Sequence, residues 1–180
     1  MKKIAFCTIL LISSFTIFSQ NYTPVDNGSS VKFSIKNFGF NVSGSFTGLK
    51  GKIVFNPNSI GSSYFNVTVE TATVNTGNGS RDGHLKKDEY FDVEKYAALS
   101  FVSTKISNSD KPGMLVMEGK ITIKGVTKNI SFPFKANPVA NGYSFVGEFK
   151  LNRRDFNVGS SSMVLSDNLT VSLSVFAKNN

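Results

Sequence analysis

The residues best suited to chemistry are Arg81, Asp82 and His84, which occur together in one short stretch. A hydrolytic triad needs a nucleophile beside the histidine and a carboxylate that orients the far ring nitrogen. Asp82 is two residues from His84, a spacing at which helical neighbours do not face each other, and the chain has no Gly-x-Ser-x-Gly elbow. Two roles remain. These side chains pin a long loop through hydrogen bonds and an Arg–Asp pair, or they grip the polar head group of a ligand.

A second polar group consists of Arg153, Arg154 and Asp155. Neighbouring residues project to opposite faces of a strand, so at most one of Arg154 and Asp155 points inward. We take Arg154 as a further candidate for head-group contact. The sole histidine and the sole cysteine exclude a His/Cys zinc cage and a multi-histidine site, and we expect no cofactor and no catalytic residue.

Residues 1–20 resemble a secretory signal peptide. Two lysines follow Met1, residues 4–18 are almost wholly apolar, and a polar exit follows at residues 19–21. We predict cleavage near Ser19 or Gln20, which removes Cys7. The product is a cysteine-free domain of residues 21–180 exported to the periplasm, and its formal net charge falls from +8 to about +6.

The length and the charge pattern restrict the partners. A chain of 180 residues suits one domain, and its lysines are scattered rather than clustered with aromatic residues. Nucleic-acid binding is therefore not expected. The basic excess leaves an anionic ligand or a transient membrane contact open. The sequence does not decide between a monomer and a homodimer.

The elements that must position these side chains are strands, because apolar and polar residues alternate with period two along most of the mature chain. We expect about eight strands. The clearest segments are residues 31–35, 42–55, 65–69, 99–106, 115–123, 130–134, 143–151 and 169–175.

Residues 75–96 break the alternation and predict a long loop with a short helix. Ser80 is the expected helix cap, and Leu85, Tyr90 and Phe91 are expected to hold the helix against the sheet. A second short lid is expected at residues 36–40.

Eight antiparallel strands with one apolar face form either a sandwich or a closed barrel, and a barrel of this size can enclose one ligand. Phenylalanine supplies much of the apolar face, which is either a packed core or the wall of an apolar pocket. The pocket candidates from alternation are Phe38, Phe40, Phe46, Phe65, Phe101, Phe132, Phe145 and Phe149.

Four ordered motifs give the chain a specific resemblance. They are Val42-x-Gly44-x-Phe46 with Leu49-x-Gly51-x-Ile53, the stretch 76–85 continuing to Tyr90-Phe91-Asp92 and Tyr96, the stretch 119–128, and Leu151-x-Arg153-x-Asp155-Phe156. Over residues 22–176 the sequence is similar to the YceI-like family. Ala97 and Asn157 stand where the family pattern has proline and glycine.

The resemblance implies an all-β fold: an extended, eight-stranded, antiparallel, lipocalin-like β-barrel with one or two short helices in its loops. It also implies a periplasmic protein that holds a long isoprenoid or similar lipid. Three functions remain open at this point. They are a non-enzymatic lipid carrier, an enzyme that acts on such a lipid through residues 81–84, and a ligand-free stress-response barrel.

Overall fold

The predicted alternation produces ten strands and one helix in the computed structural model, which describes residues 20–180. The predicted signal peptide falls outside the described residues, apart from Gln20. The strands are β1 (Gln20–Pro24), β2 (Ser30–Asn37), β3 (Phe40–Phe46), β4 (Lys50–Phe55), β5 (Tyr64–Glu70), β6 (Ala98–Asn108), β7 (Leu115–Ile123), β8 (Val126–Val139), β9 (Gly142–Asn152) and β10 (Leu165–Asn179). The helix is α1 (Gly79–Leu85), and 3-10 turns occur at Ile60–Ser62, Thr71–Thr73 and Arg153–Phe156.

The strands close into a barrel. All pairings are antiparallel, and the order β1-β4-β5-β6-β7-β8-β9-β10 returns to β1, so the ring has eight members. Two members of the ring are interrupted. β2 continues the line of β1 after a break, since both pair with β10, and β3 in the same way continues the line of β4. The expected eight-stranded barrel is confirmed. Closure leaves few free edges, which removes sites for unwanted strand pairing.

The two breaks lie at the same level and are joined by Asp26. Its carboxylate accepts hydrogen bonds from the backbone amides of Gly48 (3.0 Å) and Leu49 (2.9 Å), which the β3–β4 break leaves without strand partners. A carboxylate suits this position because it accepts several backbone donors at once.

One half of the barrel is filled by interlocking aromatic rings. Phe145 packs against Phe55, Phe65 and Tyr143, with ring centroids 5.3, 4.9 and 5.9 Å away. Tyr22, Ile53 and Met117 belong to the same cluster and are almost fully buried. This half is therefore a true hydrophobic core.

The helix α1 covers the other half. Its cap is Asn78, whose side chain accepts a hydrogen bond from the Arg81 amide, so the prediction of Ser80 as the cap was wrong. Leu85 and Phe91 pack inward as predicted, and the rings of Phe91 and Phe46 form an edge-to-face pair with centroids 5.5 Å apart. Within residues 20–180, no helix is long and apolar enough to cross a membrane.

The second expected lid, at residues 36–40, is instead the turn of the β2–β3 hairpin. Phe38 and Gly39 both have positive φ (50° and 80°), the geometry of a two-residue hairpin turn. Phenylalanine is unusual in this geometry, so residue 38 does not itself indicate a turn, although Gly39 is a common turn residue.

Candidate functional site

A cavity of about 580 Å³ occupies the half of the barrel beneath α1. Its wall is made mainly of inward-facing side chains from the half of the barrel beneath α1, which we call the upper half. The aliphatic members are Val31, Ile35, Val42, Leu49, Val67, Val69, Leu85, Leu99, Ile121, Ile123, Leu151, Val158, Leu165, Leu169, Val171, Leu173 and Val175. The wall is therefore almost wholly apolar and is chemically suited to a hydrocarbon.

The cavity exists because side-chain size changes along the barrel axis. In the packed half the inward positions hold Phe55, Tyr143 and Phe145, whose rings contact one another. In the upper half of β10 the inward positions hold Val171, Leu173 and other aliphatic residues. These shorter side chains do not meet across the barrel, so a volume remains between them.

Four of the predicted pocket phenylalanines line the cavity: Phe46, Phe101, Phe132 and Phe149. Phe132 lies at the boundary between the two halves, with its ring centroid 6.0 Å from that of Phe101 and 4.7 Å from that of Phe149. These three rings separate the cavity from the packed core. Their contact with a ligand stays a prediction.

The other four lie elsewhere. Phe65 and Phe145 belong to the packed half and do not line the cavity. Alternation predicts the face of a residue correctly but not its level along the barrel axis. Phe38 and Phe40 are on the β2–β3 turn and are 69% and 78% exposed, because the hairpin extends beyond the barrel. The expectation that these four line the pocket was wrong.

Arg81 and His84 line one side of the cavity, together with Thr76, Asn78 and Ser80. The Arg81 guanidinium donates to the Thr76 hydroxyl (2.8 Å) and carbonyl (3.1 Å). It lies where the apolar wall gives way to polar groups. This arrangement places a cation and an imidazole at one margin of the cavity, where they could meet a polar head group.

Asp82 does not line the cavity; it holds the loop. Its Oδ1 accepts hydrogen bonds from the Thr76 amide (2.8 Å) and hydroxyl (2.5 Å). These bonds, with smaller contributions from nearby Arg81 and Lys86, hold the pKa of the Asp82 carboxyl below its usual value. In the described part of the chain, the expected Arg–Asp ion pair does not form, because both side chains engage Thr76.

Among residues 20–180, His84 has a carboxylate partner but no hydrogen bond to a hydroxyl group, so it lacks the nucleophile of a hydrolytic triad. Its Nε2 is 3.4 Å from the Glu89 carboxylate, and its ring meets the edge of Tyr90 at 5.2 Å. The side chain is about half exposed. Among residues 20–180, no cluster of three or more His, Cys, Asp or Glu could hold a metal ion.

Arg153, not Arg154, reaches the cavity wall. Its side chain is 4% exposed and donates to the carbonyls of Val158 (2.9 Å), Ser160 (2.9 Å) and Ser166 (3.0 Å). It also contacts Asp167 Oδ1 at 2.7 Å. Arg154 is exposed and does not line the cavity. The prediction assumed a strand at this position.

Arg154 was preferred to Arg153 wrongly, because the alternation of Phe149 and Leu151, continued by one step, already places Arg153 on the inward face. The chain then forms a 3-10 turn over residues 153–156. Asn157 closes the turn in the left-handed region (φ 55°), a conformation that asparagine tolerates better than most residues. The aliphatic wall was not predicted because only phenylalanines were taken as pocket candidates, although the same alternation marks Val171 and Leu173.

The fold and the site define a class of protein, a lipocalin-like antiparallel barrel with an apolar internal cavity at one end. The sequence model of the YceI-like domain matches residues 22–177, and the chain therefore belongs to the YceI-like family. A UPF0312 protein of Vibrio campbellii is 30% identical over 179 residues, which cover 91% of this chain and 94% of that protein.

Two solved structures show the same fold. BcnA of Burkholderia cenocepacia superposes with a TM-score of 0.80 at 22% identity, over 86% of this chain and 99% of that one. A polyisoprenoid binding domain from Saccharophagus degradans gives a TM-score of 0.69 at 14% identity, over 88% of this chain and 98% of that one.

Proposed function

We propose that this protein is a non-enzymatic carrier that binds a long isoprenoid or similar lipid chain inside its barrel. The observation that carries the proposal is the apolar cavity of about 580 Å³ beside a filled core. A barrel that served only as a stable shell would gain more from packing both halves in the same way.

The cavity volume matches a lipid chain. A water molecule takes about 30 Å³ of liquid and a methylene is of similar size, so 580 Å³ holds on the order of 15 to 20 such groups. Each buried methylene contributes roughly 0.8 kcal/mol. The gross gain is then about 12 kcal/mol or more, which exceeds most estimates of the cost of association.

The chemistry of the wall favours a featureless chain over a compact polar ligand. The wall supplies methyl groups and the rings of Phe46, Phe101, Phe132 and Phe149, which pack against hydrocarbon without demanding hydrogen bonds. The neighbouring structure named as a polyisoprenoid binding domain supports an isoprenoid as the cargo. Arg81 and His84 are proposed to meet the polar head of the lipid.

The proposed site of action is the periplasm, where a carrier would shield its lipid from water. The basic and apolar residues 1–18 support export through a signal peptide. The intact mass of the protein recovered from the periplasmic fraction tests this part. We expect a chain that starts near Asn21, whereas an intact Met1 in the cytoplasmic fraction would contradict export.

The lipid itself is tested by native mass spectrometry of protein purified from a host that makes polyprenyl lipids, followed by solvent extraction. We expect an extractable lipid of defined mass. The variant Val171→Trp places a large ring in the cavity and should lose that lipid. The matched control Val146→Trp adds the same ring on the exposed outer face of β9 and should keep it.

The competing functions give different results in the same experiment. Wild-type protein that is recovered without lipid, and whose stability Val171→Trp leaves unchanged, would favour the ligand-free barrel. Turnover of an added lipid that His84→Ala abolishes would favour the enzyme. The enzyme has less support, because His84 contacts Glu89 and Tyr90 but hydrogen-bonds to no nucleophile among residues 20–180.

A further inference from the structure

Four exposed apolar side chains meet at one place on the protein: Phe38, Phe40, Met163 and Val164, which we call the apolar rim. Phe38 and Phe40 are mostly exposed and Met163 is fully exposed. The two segments are joined because the Phe38 amide donates to the Val164 carbonyl at 2.9 Å. Such a contiguous patch marks an interaction surface more often than scattered single residues do.

The apolar rim continues the wall of the cavity. Asn37 and Leu165 are paired across β2 and β10, and both line the cavity. Asn37 also pairs with Phe40, which lies on the same face of β3 as Val42 and Phe46. Phe40 therefore extends the inner face of the barrel beyond its end, so a hydrocarbon that leaves the cavity there passes directly over the rim.

Packing within residues 20–180 does not compensate for the unfavourable backbone conformation of Phe38. Phe38 has a φ of 50°, a region that a bulky side chain rarely adopts and that Asn or Gly would occupy at lower energy. Its ring remains 69% exposed, so intramolecular packing does not offset the backbone cost. Burial of the ring outside the protein would offset it.

The charges around the rim favour an anionic surface. Lys36 lies two residues from Phe38, and the acidic residue that follows the rim on β10, Asp167, is paired with Arg153. Basic side chains beside exposed phenylalanine are the combination by which proteins lie on anionic lipid bilayers.

We propose that the apolar rim inserts into the head-group region of an anionic lipid bilayer and directs the cavity toward the membrane. This inference rests on the proposed lipid-carrier function. A second copy of the chain fits less well. Four side chains expose on the order of 500 Å², below the roughly 800 Å² that each partner of a stable protein complex buries. A bilayer accepts protruding side chains without a complementary shape.

The test is flotation of the mature protein with vesicles of phosphatidylethanolamine and phosphatidylglycerol. The rim variant is Phe38→Asn with Phe40→Ser, which should fold because asparagine tolerates the turn geometry. The matched control is Tyr64→Ser with Val139→Ser, which removes two exposed apolar side chains away from the cavity. We expect the rim variant to bind vesicles about tenfold more weakly and the control to bind as wild type does.

The outcomes separate this inference from the proposed function. Binding of farnesol in vesicle-free solution should be the same for the rim variant and the wild type, because neither residue lines the cavity. Equal vesicle binding by both proteins would overturn the membrane assignment and leave the carrier intact. Failure of the wild-type protein to bind farnesol would instead overturn the proposed lipid-carrier function. A concentration-dependent dimer that the rim variant abolishes in sedimentation velocity would assign the rim to a second copy of the chain.

Discussion

Phe145 and Phe149 lie on the same strand and the same face of β9, but they have different surroundings. Phe145 is 5% exposed and packs among other aromatic rings. Phe149 lines the cavity and is only partly buried. Substituting each with alanine therefore compares the packed half with the cavity half of one barrel.

The expected losses of stability differ. Phe145→Ala removes a fully packed ring and should lower the free energy of unfolding by about 3–5 kcal/mol. Phe149→Ala enlarges an existing cavity and loses only the buried part of its ring, about 1–1.5 kcal/mol. At about 2–4 °C per kcal/mol for a chain of this size, Tm should fall by roughly 6–20 °C for Phe145→Ala and roughly 2–6 °C for Phe149→Ala.

Ligand binding should show the opposite order. Phe149→Ala removes on the order of ten carbon–carbon contacts with a bound chain, each worth about 0.1–0.2 kcal/mol. Farnesol should then bind roughly 5- to 30-fold more weakly, whereas Phe145→Ala should bind it as wild type does. The assay is thermal unfolding with and without farnesol, because a ligand stabilises the folded state by an amount that rises with the logarithm of its affinity.

Equal destabilisation by the two substitutions, with equal Tm gains from farnesol, would refute this reasoning. That result would mean that Phe149 is packed as tightly as Phe145 and that the upper half of the barrel is a core.

Three further results are expected. Arg153→Met should lower the free energy of unfolding by about 3–5 kcal/mol in urea titrations, since it leaves Asp167 and several carbonyls without their buried donor. Asp82 has a lowered pKa in the folded state, so its contribution is present above its ordinary value of 3.8 and is lost as the pH falls below it. Asp82→Asn should flatten the acid limb of a stability–pH curve, and an unchanged limb would contradict this assignment. Phe38→Asn should raise Tm slightly, by about 1–4 °C in calorimetry, because asparagine relieves the positive φ.

The fold was predictable because alternation determines which side chains face inward, as at Phe46, Phe101 and Phe149. The level of each residue along the barrel was not, because it depends on the register with which the strands close. Phe65 and Phe145 were therefore placed in the pocket although they lie in the core.

The polar residues show a different limit. Arg153 faces inward in step with Phe149 and Leu151, so the choice of Arg154 did not follow the alternation to its end. The β2–β3 turn was also unrecognised, since it places Phe38 in a conformation that the sequence argues against. By contrast, Leu85 and Phe91 pack as predicted, because burial against the barrel removes their apolar surfaces from water.

The strand β10 pairs with β9, β2 and β1, and its residues 177–179 close the ring against residues 22–24. The first strand described is therefore paired with the last one, and the loop that this pairing closes, from Tyr22 to Asn179, spans almost all of the described residues. Such non-local pairing slows folding, because the entropy of the whole chain is lost before the contact forms. Without the pairing of β10 to β1 the remaining strands form an open sheet with exposed edges, so the cavity is enclosed only once that pairing forms.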